Sequence, residues 1–211
     1  GHVLASEHRL QGGYTGDSQI PAAAKVMEDV RDLNLRVMRT LNAGGLPSAS
    51  LPPSAVASLR SGELDTLDMG MFRRYLDLGM CPVTFGDVAL DSERRFGICS
   101  GDQLMERLAR EFRPQRVIFV SDIDGVFTAD PTTDPDATLI ETVDRETLDS
   151  LPRTHRCADV TGSIFGKIET MMRIASWGGD AVVLNGNAPG RLGAALRGEA
   201  VVGSKVKGGE A

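Results

Sequence analysis

Apolar residues recur along this chain in two alternating rhythms. Val26, Val30, Leu33, Val37 and Leu41 fall at helical spacing. Pro21 suits the first turn of that helix, and Gly44-Gly45 supplies its stop. A Pro- and Ser-rich stretch over 46–58 predicts an extended strand and loop. Residues 71–78, closed by Gly79, predict a short helix. Residues 102–112 predict a longer one with Leu104, Leu108 and Phe112 on one face, and 164–175 and 191–196 predict two more. Between them lie short apolar runs over 82–85, 116–121 and 181–184, which read as buried strands, and a tail over 201–206 that can close a sheet. Short strands alternating with helices of about 10–15 residues predict an α/β architecture, a largely parallel sheet covered on both faces.

Composition narrows the function. The chain has 211 residues, 41% hydrophobic and 25% charged, enough to bury a full core within one domain. No apolar run approaches the roughly 18 residues of a membrane span. Twenty-nine acidic residues against 23 basic give a net charge of −6 with no Lys/Arg block, which excludes a general nucleic-acid backbone binder. Backbone amides and one or two lysines can still hold a phosphate. Cys81, Cys99 and Cys157 are odd in number and lack CxxC spacing; they read as buried thiols of a cytoplasmic protein rather than a disulfide framework or zinc site. No charged-then-apolar leader supports secretion.

The chemistry lies just after the strands, where ligands gather in open α/β sheets. Gly86-Asp87, Ser121-Asp122-Ile123-Asp124-Gly125 and Asn185-Gly186-Asn187 each follow an apolar run. Turn chemistry alone explains any one of them; three together point to a shared site. A further run, Asp159-Val160-Thr161-Gly162-Ser163-Ile164-Phe165-Gly166-Lys167, offers small residues, a helix start and a lysine able to reach a phosphoryl group. The same run also reads as a helix capped by Thr161 or Ser163 with Lys167 solvated. It is not a P-loop, since the spacing is one residue short and Ile168 follows the lysine. In Ser100-Gly101-Asp102, Gly101 permits close backbone approach and spacing favours Asp102 as an N-cap.

Taken in order, these pieces resemble the amino acid kinase superfamily, most closely its isopentenyl phosphate kinases. The matching stretches are Gly1-His2 with Gly12-Gly13-Tyr14 and the long helix, Pro82 through Asp87, Ser100-Gly101-Asp102, Ser121 through Phe127, Asp159 through Glu169, and Asn185-Gly186-Asn187. The resemblance implies a three-layer αβα sandwich with an open, mostly parallel central sheet, a single domain over 1–211. It implies transfer of the γ-phosphoryl of ATP, with Mg²⁺, to isopentenyl phosphate in isoprenoid biosynthesis, by a cytoplasmic homodimer. Lys167 looks like the lysine that contacts the nucleotide phosphates and stabilises charge in transfer. Asp122, Gly162 and Ser163 match nucleotide-site positions. Gly101 matches a backbone contact to the substrate phosphate, and Gly1-His2 match the end of the family's GGGSFGH motif, whose histidine hydrogen-bonds that phosphate. No residue is assigned as a protein metal ligand. The long helix is expected to wall the prenyl-tail pocket, with Val26 and Val30 as candidate contacts.

Two departures qualify the match. Ser163 stands where the family has a second glycine. The family's N-terminal strand with KxGGS, and the glycines before the histidine, do not occur in this sequence. By fold analogy that stretch amounts to about 50 residues, so the expectation is a chain incomplete at its N-terminus, or else one without kinase activity. Two alternatives stay open: a fosfomycin-type phosphonate kinase of the same fold, and a non-catalytic nucleotide-binding module.

Overall fold

Two helices open the chain, α1 (His2–Glu7) and the long α2 (Ile20–Ala43). Pro21 sits in the first turn of α2, where its missing N–H costs no hydrogen bond. The helix ends where Gly45 takes φ +82°, and the Leu46 N–H donates back to the Leu41 carbonyl at 3.0 Å. The computed structural model describes residues 1–151, 164–177 and 180–208, and the chain divides into two units, Gly1–Met105 and Glu106–Ala211.

In the first unit the order continues β1 (Ser48–Ser50), α3 (Pro53–Val56), β2 (Ala57–Arg60), β3 (Glu63–Leu67), α4 (Met69–Asp77), β4 (Cys81–Val83), β5 (Asp87–Asp91) and β6 (Arg95–Cys99), after which α5 (Gly101–Phe112) begins. β1 pairs with β4 in parallel. A second sheet runs β3-β2-β5-β6, with antiparallel hairpins β2/β3 and β5/β6 joined by one parallel contact between β2 and β5. Neither hairpin is among the strands the apolar runs predict. Ser61 (φ +52°) and Gly62 (φ +88°) form the two-residue turn of the first. Its strands interleave Leu59, Leu64 and Leu67 with Ser58, Glu63, Asp65 and Thr66, so no continuous apolar run marks them.

The face that α2 buries is narrower than its periodicity predicts. Ala23, Val26, Met27 and Val30 pack with Ala5, Leu10, Val88, Phe96 and Ile98. Leu33 and Val37 instead stand 62% and 40% exposed. The buried line runs from Val26 through Val30 to Asn34, which is buried and accepts a 2.6 Å hydrogen bond from Ser50 Oγ. On the helical wheel Leu33 and Val37 stand only about 60° and 20° from Val30, so the elements packed against the helix, rather than its periodicity, decide which of these residues are covered.

The second unit contains β7 (Arg116–Ser121), β8 (Thr142–Val143), α6 (Arg145–Ser150), α7 (Ile164–Ser176), β9 (Asp180–Asn185), α8 (Arg191–Arg197) and β10 (Ser204–Val206). Its sheet runs β7-β9-β10-β8. β7 and β9 are parallel in register from Arg116↔Asp180 to Ser121↔Asn185, and β10 runs antiparallel to β9 but parallel to β8. The closing strand expected over 201–206 is thus its last three residues. Helices α7 and α8 both pack on β9, and Ala181 through Leu184 are buried without a break, the mark of a strand covered on both faces. The α/β architecture is the one the sequence predicts.

Ser204 ties this unit's loops together. Its buried Oγ accepts from Val126 N–H at 2.8 Å and donates to the Ile140 carbonyl at 2.6 Å. A Cβ on Gly125 would fall 2.5 Å from that Oγ and 2.9 Å from Leu139 Cδ1. Gly125→Ala is therefore expected to destabilise the protein by about 2 kcal/mol, as overpacking against a fixed hydroxyl does. A thermal unfolding midpoint equal to that of the unaltered protein would show that the loop yields instead.

Candidate functional site

Because β7 and β9 are adjacent and parallel, their carboxyl ends carry the two sequence clusters to the same edge. Gly186 N–H donates to the Ser121 carbonyl at 2.8 Å, and Gly186 lies so close to the Val120 side chain that a Cβ would collide with it. Asp122 is exposed beside Ser121, whose hydroxyl donates to it at 3.2 Å. Asp124 receives Asn185 Nδ2 at 3.2 Å and Arg191 Nη1 at 2.5 Å, both on Oδ1. The Arg191 hydrogen bond, and after it that of Asn185, hold the Asp124 carboxyl below the usual carboxylate range. The sequence motif marks Asp122 as a site residue but neither Asp124 nor Arg191. Arg191 lies 67 residues from its partner, and nothing local marks the pairing.

Lys167 sits in the first turn of α7 and is half-buried. Ile168, Met171, Met172 and Ile174 bury the helix against its sheet and fix the lysine's backbone. Gly162 and Ser163, with the rest of 159–163, lie outside the described residues, as does Cys157.

In the first unit, Gly86 follows the end of β4 and lies against the start of α5. A Cβ on it would sit 3.4 Å from the Cys99 carbonyl oxygen and 3.6 Å from Gly101 N. Nothing lies within 4 Å of a Cβ built on Gly101, leaving open space beside the first amide of a helix twelve residues long. Asp102 is the helix's second residue rather than its cap. Ser100 takes that role, its Oγ accepting from Asp102 N–H at 3.2 Å, because the chain turns into the helix one step earlier than the Gly-Asp pair suggests. His2 is exposed at the start of α1. Gly1 abuts α2, 3.4 Å from Val30 Cγ1 and 3.9 Å from Val26 Cγ1 for a built Cβ. Asp87 is buried and held by Arg31 at 3.2 and 3.0 Å, the guanidinium also bonding Ser54 Oγ and the Met27 carbonyl. Burial, then the Asp87 charge, pushes the Cys99 thiol up to about 12, which leaves it a packing residue rather than a nucleophile. Cys81 is half-buried and, like Cys99, free.

Among the described residues no helix is long and apolar enough to cross a membrane. The sequence model of the amino acid kinase family matches residues 2–185. An isopentenyl phosphate kinase of Methanothermobacter thermautotrophicus is 36% identical over 218 residues, spanning 99% of this chain and 80% of that relative. One of Thermoplasma acidophilum is 35% identical over 195 residues, spanning 92% and 75%. A crystallographic isopentenyl phosphate kinase superposes with a TM-score of 0.82 at 32% identity, covering 98% of this chain and 80% of that one.

Proposed function

The chain belongs to the amino acid kinase family, and from that footing we propose that it phosphorylates isopentenyl phosphate at the expense of ATP. The chain is a phosphotransferase. An oxygen of the isopentenyl phosphate group attacks the γ-phosphorus of ATP, the bond from that phosphorus to the β-bridging oxygen breaks, and isopentenyl diphosphate and ADP leave. The observation that carries the acceptor is kinship with isopentenyl phosphate kinases along almost the whole chain.

The reaction asks for positioning and charge neutralisation rather than a strong base, because the attacking monoester is already largely ionised near neutral pH. ATP enters as its Mg²⁺ complex, with Asp122, Gly162 and Ser163 on the nucleotide side. Lys167 meets the phosphates and stabilises the charge that builds on the transferring group. On the acceptor side His2 donates to the monoester beside Gly1, and Gly101 offers a backbone amide. The apolar line of α2 at Val26 and Val30, packed with Phe96 and Ile98, supplies a wall for the prenyl tail. Residues 1–211 act as one kinase domain, in a cytoplasmic homodimer serving isoprenoid biosynthesis by the alternative mevalonate route.

The test is ADP release by purified full-length protein with isopentenyl phosphate and, separately, fosfomycin. Turnover of isopentenyl phosphate supports the assignment; turnover of fosfomycin alone would replace it with a phosphonate kinase, and ATP binding without turnover with a binding module. His2→Ala is expected to raise the acceptor KM about 30-fold, the worth of one hydrogen bond to a charged group, while the KM for ATP stays unchanged. An unchanged acceptor KM would remove His2 from the site.

A further inference from the structure

Arg191 occupies a place that helix physics does not favour. It is the first residue of α8, where the helix dipole disfavours a cation, yet its side chain is only 18% exposed. Its 2.5 Å bond to Asp124 Oδ1 accounts for that. Gly190, at φ +77°, turns the chain so that Arg191 faces back toward β7. The amide of Asn185 adds a second donor to the same oxygen at 3.2 Å, and the Asn185 carbonyl Oδ1 accepts the Asn187 N–H at 2.9 Å. The strand exits are thereby stapled twice, once by Gly186 to Ser121 and once by Arg191 to Asp124. Among the described residues nothing donates to Asp124 Oδ2, and the side chain is 40% exposed.

We propose that Arg191 is a positioning residue for the nucleotide: by clamping Oδ1 of Asp124 it presents Oδ2 as a fixed acceptor for a hydrogen-bond donor on the nucleoside. The inference rests on the phosphotransferase reading above, which places ATP at this edge. A carboxylate repels phosphates, so its partner on ATP is a sugar hydroxyl or the exocyclic amine of the base. Held by two donors on one side, the carboxylate meets that partner without first losing rotational freedom.

The test compares steady-state kinetics with ATP, 2′-deoxy-ATP and inosine triphosphate, which lacks the amine, in full-length protein. Arg191→Ala and Arg191→Met are expected to raise the KM for ATP about tenfold, with kcat and the acceptor KM within about twofold. Arg191→Lys is expected to recover part of that loss. The preference for ATP over one of the two analogues should shrink in Arg191→Ala and vanish in Asp124→Asn, and the analogue concerned identifies the donor. Thermal midpoints of the same variants separate folding from binding. An unchanged KM for ATP, or an equal loss on all three nucleotides, would overturn the inference while leaving the phosphotransferase reading intact. Absence of ATP turnover by the unaltered protein would overturn both.

Discussion

Replacing Lys167 with alanine is expected to lower kcat about a thousandfold while leaving the thermal unfolding midpoint almost unchanged. The magnitude is that of removing one preorganised donor aimed at charge that develops during transfer. The physical case begins with its position in the first turn of α7, where a cation gains nothing from the helix dipole. The lysine backbone is fixed by the buried Ile168 and Met171, so the side chain starts from a rigid base. Lys167→Arg keeps the charge but changes its shape and reach, and is expected to restore activity only partly. A loss smaller than about tenfold in Lys167→Ala would remove the residue from charge stabilisation.

The largest effect on stability is expected at Asp91. Its buried carboxylate accepts from the backbone N–H groups of Ser61 at 3.2 Å, Gly62 at 2.7 Å, Glu93 at 2.8 Å and Arg94 at 2.8 Å. One side chain thus serves the turns of both hairpins, β2/β3 and β5/β6. Asp91→Ala orphans four donors, and the expected cost is about 3 kcal/mol, a fall of about 10 °C in the unfolding midpoint of a chain this size. Asp91→Asn retains an acceptor for the donors that meet Oδ1 but turns an amide toward Gly62, so its loss should be intermediate.

Asp91 also sets an acid dependence. Burial raises its carboxyl, but the four amides outweigh that and hold it below the ordinary aspartate value. A depressed carboxyl contributes its full stability above the unfolded-state pKa and loses it as the pH falls through the lower folded-state value. Unfolding midpoints measured downward from pH 5 should therefore fall more steeply in the unaltered protein than in Asp91→Asn, which has no proton to take up there. Parallel curves would show that other carboxylates govern acid unfolding.

How much of this molecule is written locally can be judged element by element. Helix α2, the buried strands β7 and β9 and helix α8 were all legible, because apolar spacing and flanking Gly or Pro are properties of neighbouring residues. The β2/β3 hairpin was not, since its apolar residues are interleaved with polar and charged ones and Asp91 holds its turn through the amides of Ser61 and Gly62, 30 and 29 residues away. Leu33 and Val37 misled for a related reason: periodicity reports that a helix can bury a stripe, while the neighbours decide which one.

The candidate site divides in the same way. Acidic and small residues after apolar runs marked the strand exits, and the ordered motifs from His2 to Asn187 carried the family resemblance without any structure. The sequence by itself determined the α/β class, the family and the kinds of residue present at each exit, because those depend on short-range pattern. Only the tertiary structure decided that β7 lies directly beside β9, that Ser100 rather than Asp102 caps α5, and that Arg191 closes on Asp124. The pairings bring together residues far apart in the chain, and the cap depends on where the backbone turns, so folded geometry alone selects them.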